Sequence, residues 1–146
     1  MPNAMRFRAF AALLLGVVLA AGCGDIGFTS NPTHQVVITG GGNTLVSVTP
    51  AGEVLGTLTV GAGAQRTITV SVLDRAGNPV TLGANDQIRV TVVNTVVATF
   101  TATGTGANAV LGTLRGGQSG TTSLNVQLLR GGTSEYNSPN VPITVG

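Results

Sequence analysis

The chain has 146 residues, of which 42% are hydrophobic, 3% aromatic and only 8% charged. Seven basic residues face five acidic ones, but Arg6 and Arg8 carry the whole surplus near the start; beyond them five arginines and five acids cancel, which leaves no basic patch for nucleic acid. Thr, Val and Gly are abundant while Lys and Trp are absent, so helical propensity is low throughout and the expected class is all-β.

Arg6 and Arg8 precede an uncharged run from Ala9 to Ala21, which ends in small residues before the single cysteine, Cys23. A membrane-spanning helix needs roughly 20 apolar residues, so this shorter run predicts a cleaved secretory signal. Its end, Leu19-Ala20-Ala21-Gly22-Cys23, resembles the lipobox of bacterial lipoproteins. That resemblance implies a signal peptide at 1–22, a lipid thioether on Cys23 and a membrane partner held through it. Gly24, rather than Asp, after the cysteine implies the outer membrane. A lone cysteine in an exported chain otherwise needs a pairing partner, and lipidation removes that need.

Residues 23–34 are turn-rich and weakly apolar, and are expected to form a tether, with 35–146 as one domain. His34, at the end of the tether, reads as a solvated loop residue. Val36 and Ile38 alternate with polar neighbours, Gly40-Gly41-Gly42-Asn43 breaks the run, and Leu45 to Thr49 starts another strand. Pro50-Ala51-Gly52 turns the chain, and Val54 to Val60 is expected as a single strand. Arg66 to Asp74 has the clearest period of two, with Ile68, Val70 and Val72 on one face. Gln87 to Val93 repeats it, Val96 to Thr101 follows, and 104–108 reads as a glycine-rich loop before a short apolar segment at 110–114. Leu124, Val126 and Leu128 carry the next core face. A loop from Gly131 to Asn140 then leads to a last strand with Val141, Ile143 and Val145. Val54-Leu55-Gly56-Thr57-Leu58 recurs as Val110-Leu111-Gly112-Thr113-Leu114, and the same offset aligns Ile68, Val70 and Val72 with Leu124, Val126 and Leu128. That spacing suits two facing sheets.

From residue 46 onward the chain resembles the bacterial group 2 immunoglobulin-like modules of intimin and invasin type surface proteins. Val46-Ser47-Val48-Thr49-Pro50, Val72-Leu73-Asp74 with Gly77-Asn78-Pro79, Gly120-Thr121 and Val141-Pro142-Ile143-Thr144-Val145 carry it. The resemblance implies an immunoglobulin-like β-sandwich of about seven to nine strands. The missing tryptophan departs from the pattern and implies an aliphatic core.

No residue set points to catalysis, a cofactor or a metal. Gly104-Thr105-Gly106-Ala107-Asn108-Ala109 spells a dinucleotide fingerprint, but no helix follows to meet a pyrophosphate. Asp74, Asn78, Asn85 and Asp86 could offer oxygens to calcium, although such residues at strand ends mostly stabilise turns. Tyr136 with Glu135 and Arg130, in the loop before the last strand, forms the candidate contact for a protein or glycan partner; the alternative is that Arg130 and Glu135 solvate a hairpin and Tyr136 packs down over its own strands. The expected function is a non-catalytic, lipid-anchored cell-envelope module for surface binding, adhesion or spacing. The alternative is an oligomer, a structural subunit that assembles by strand addition, suggested by the few charges beyond the leader and by Val90 to Phe100, a β-prone window without charge or proline.

Overall fold

The computed structural model describes residues 34–146. The leader, Cys23 and residues 24–33 lie outside the described residues. The strands are β1 (His34–Gly40), β2 (Asn43–Val48), β3 (Val54–Gly56), β4 (Leu58–Val60), β5 (Gln65–Asp74) and β6 (Gln87–Val92). They continue with β7 (Ala98–Thr105), β8 (Ala109–Gly116), β9 (Gly120–Arg130), β10 (Thr133–Asn137) and β11 (Val141–Val145). The first sheet runs β3-β2-β1-β5-β8-β7. In the second, β9 pairs with β6, β10 and β11, and β11 pairs with β4. The fold is an all-β sandwich of two sheets, with more strands than the seven to nine expected.

Alternation builds the core. Ile68, Val70 and Val72 of β5 and Leu124, Val126 and Leu128 of β9 are fully buried in one aliphatic cluster, each set contributed by a different sheet. Val36 and Ile38 of β1 and Val141 and Ile143 of β11 join the same cluster. Val126 pairs with Val90 of β6 on one edge of β9, but on the other edge it falls between β10 and β11, and buried Ser138 fills that gap. Its N–H donates to Val126 O at 2.8 Å, and its Oγ accepts from Val126 N at 2.9 Å. A buried polar side chain is thereby satisfied where an orphaned amide would be costly.

The recurring pentapeptide adopts two structures. Val54 to Val60 is not the single strand expected: β3 pairs with β2 in the first sheet, whereas β4 pairs in parallel with β11 in the second. The crossing is made at Gly56, whose φ is 98°, and a Cβ there would collide with the backbone oxygen of Leu45. In the second copy Gly112 stays within β8 without a positive φ, and the ring of Phe100 lies where its Cβ would stand.

Pairing revises four further readings. The strand placed at Val96 to Thr101 begins at Ala98 and runs on to Thr105, so the glycine-rich loop shrinks to the turn between β7 and β8. Gly131 to Asn140 is not one loop, because β10 pairs with β9 through Thr133, Ser134, Tyr136 and Asn137. The window from Val90 to Phe100 divides between β6 in the second sheet and β7 in the first, with Val93 and Val96 exposed on the crossing. His34 belongs to β1, opposite Asp74, and not to the tether. β1 starts at what we term the proximal end of the sandwich. β11 finishes at the other, distal end, where Ala62 N donates to Gly146 O and Gly63 N to Gly116 O.

Candidate functional site

At the proximal end His34, Glu135, Arg130 and Asp86 form a chain of contacts across both sheets. β10 departs from regular register between Ser134 and Tyr136, so Glu135 is the residue left without a strand partner. A bulge of this kind re-aims a side chain, and here each Glu135 oxygen faces a different side-chain nitrogen. Oε1 lies 3.4 Å from His34 Nε2, and Oε2 accepts from Arg130 Nε at 3.0 Å. Arg130 Nη1 donates to Asp86 Oδ2 and, at 3.1 Å, to the carbonyl of Thr81. Asp86 Oδ2 also accepts from Gly83 N at 2.8 Å. The N–H of Gly83 and the Arg130 guanidinium hold the Asp86 carboxyl below the ordinary carboxylate range, and Asp86 in turn raises Arg130.

Beneath this chain lies Tyr136. The bulge turns it inward, leaving it 7% exposed, and its ring sits 5.3 Å from that of His34 at a tilt of 41°. Burial pushes its phenol up from the usual value of 10.0, because the phenolate is poorly solvated there. Arg130, Glu135 and Tyr136 are therefore brought together as the sequence suggests, and Tyr136 takes the packed position of the two weighed for it. The sequence reading missed His34 and Asp86 as members of the cluster. A signal for His34 was present, since it shares the inward parity of Val36 and Ile38.

The four residues considered for calcium are taken up in two different places, a turn and the charged chain. Asn78 N donates to Asp74 Oδ1 at 2.9 Å, closing the turn after β5 and lowering the Asp74 pKa, whereas Asp86 serves Gly83 and Arg130. Asn85 contributes its backbone oxygen to Gly131 N at 3.1 Å. Among the described residues, no three His, Cys, Asp or Glu side chains form a group that could hold a metal.

The network makes a pH-dependent contribution whose sign follows from Asp86. Its folded pKa lies below the unfolded value of 3.8, so the stabilisation is present above that value and is lost as pH falls through the lower one. Asp86→Asn is expected to lower the melting temperature at pH 7, and the gap to wild type should close as both are titrated below the carboxylate range. A gap that persists unchanged in acid would mean that Asp86 acts through packing and not through charge.

No protein family matches the chain, and no curated protein does. Among solved structures it is similar to domains of the S-layer protein SbsC. It is 24% identical to domains 4 and 5 over 61% of this chain and 46% of that one, with a TM-score of 0.48. Domains 5–6 give 24% identity over 62% of this chain and 39% of that one, at 0.49. Domains 4–9 give 17% over 82% and 23%, at 0.49. The chain spans less than half the length of these solved chains.

Proposed function

We propose that this chain is a non-catalytic module of a bacterial cell envelope, held to the outer membrane by lipid on Cys23 and displaying its immunoglobulin-like sandwich for binding, adhesion or spacing. The observation that carries this reading is the position of β1, which opens at His34. Only residues 24–33 separate an acylated Cys23 from a folded strand, a reach of at most roughly 36 Å when fully extended. A sandwich so placed stays close to the bilayer, with the cluster of His34, Glu135, Arg130 and Asp86 pinning the strand that receives the tether. A protein or glycan partner at that end would meet Glu135 and Arg130, whose side chains are 38% and 37% exposed, with Tyr136 packed below them.

Anchoring by two or more acyl chains is stable because each buried methylene contributes about 0.8 kcal/mol. Intact mass of the membrane fraction should give a chain that begins at Cys23 and carries lipid. Cys23→Ala should leave the protein soluble or unprocessed, and an unmodified thiol in the wild type would overturn the reading. A second reading, assembly by strand addition, is favoured by β7, an eight-residue edge strand without charge or proline.

A further inference from the structure

The open edges of the two sheets are unequal. β3 and β4 have three residues each, β6 carries Arg89 in its middle, and β10 is bulged at Glu135. Short strands, charges and bulges are the usual means by which an edge is kept from pairing with another chain. β7 is protected only by a bulge between Ala102 and Gly104, and the segment from Ala98 to Ala102 before it is regular, uncharged and free of proline. Gly117 N donates to Val97 O at 2.8 Å, so in the antiparallel register Thr99 and Thr101 turn their backbone groups toward Arg115 and Thr113 of β8. The N–H and C=O of Phe100 and Ala102 alternate with them and face outward.

We propose that β7 pairs with β7 of a second copy, antiparallel and about a twofold axis at Thr101, to join two first sheets into one. This builds on the strand-addition reading and is independent of lipid on Cys23. In that register Phe100 lies opposite Ala102 of the second copy, and each pair exchanges both backbone bonds. Thr101 meets Thr101 at a position where side chains come close. The outer face favours the same arrangement, because Thr67, Thr113 and Thr101 lie side by side on β5, β8 and β7. Across the axis this row continues as Thr101, Thr113 and Thr67, so uncharged hydroxyls meet uncharged hydroxyls and no like charges are opposed. A self-pairing of β6 would instead bring Arg89 toward its counterpart. Isologous contact through one edge closes at two copies, and it sets the two His34 ends at opposite ends of the dimer.

The test is oxidative cross-linking of the full chain in whichever cell fraction holds it, together with light scattering of the purified chain. Thr101→Cys should give a linked dimer at least tenfold above the wild-type background set by Cys23. Leu55→Cys, on the β3 edge and 48% exposed, should stay at that background. Ala102→Pro in the Thr101→Cys chain removes an outward N–H without removing a bond to β8, and should cut the dimer at least tenfold at an unchanged melting temperature. If the proline lowers the melting temperature, Thr99→Lys makes the same test through a charge at the edge. Equal linking from Leu55→Cys, or full linking despite Ala102→Pro or Thr99→Lys, overturns the pairing. Mass that rises with concentration while Thr101→Cys stays unlinked overturns β7 pairing and leaves strand addition through another edge standing. A chain that is monomeric at every concentration overturns both.

Discussion

Val70→Asp is expected to cost the protein a large part of its stability. Val70 is fully buried in β5, between β1 and β8, with aliphatic neighbours from the facing sheet. An aspartate there must either hold an unpaired charge in that core or take up a proton, and the cost is about 4 kcal/mol or more. Domains of this size are stable by roughly 5–15 kcal/mol, so the loss takes about a quarter of that margin at its upper end and about four fifths at its lower. Thr69→Asp, one residue away, points to the outer face and should cost about 1 kcal/mol. Urea denaturation of both variants checks this, and equal losses would mean that the two faces of β5 are wrongly assigned.

Gly56→Ala is expected to lose about 3 kcal/mol, from the strain of a left-handed backbone on a residue with a side chain together with a methyl driven into the Leu45 carbonyl. Neither partner can yield, since both belong to paired strands. Gly112→Ala should also destabilise, by about 1–3 kcal/mol, because the methyl meets the Phe100 ring and, at 2.8 Å, the oxygen of Thr101. The two losses should differ in how they are relieved. Phe100→Leu should recover part of the Gly112→Ala loss in a double-mutant cycle, whereas Phe100→Leu should leave the Gly56→Ala loss unchanged.

These pairs show where the fold can be read from sequence and where it cannot. β5, β9 and β11 are legible because strict alternation names the buried face whatever the neighbouring strands turn out to be. The break between β3 and β4 is not legible, because Val-Leu-Gly-Thr-Leu is one word with two conformations. Only the partner on each side, β2 and β11 in one case and β5 with β7 in the other, decides whether its glycine crosses between sheets or lies flat. β10 escapes for a related reason. Its two strand formers, Thr133 and Tyr136, stand three apart and out of step with a period of two, between Gly131-Gly132 and Ser138-Pro139-Asn140, so only the paired edge of β9 marks the segment as a strand. The candidate contact was legible as a set of neighbours, Arg130, Glu135 and Tyr136. Its geometry was not, since the bulge at Glu135 that sets which way Glu135 and Tyr136 face has no mark in the sequence, and the contributions of His34 and Asp86 come from distant parts of the chain.

The placement of β1 and β11 also decides how the sandwich bears mechanical load. β1 begins at the proximal end, and β11 finishes at the distal end in the other sheet, so a pull between His34 and Gly146 runs along the strands. The bonds that tie β1 to β2 and β5, and β11 to β4 and β9, lie across that direction. They are loaded in shear, many at once, and cannot be opened one at a time like a hairpin peeled from its tip. Sliding β1 out must also draw Val36 and Ile38 from the core in the same movement. Tension along the axis therefore meets the full ladder of each terminal strand, whereas the same force applied across a sheet edge would meet single bonds in succession.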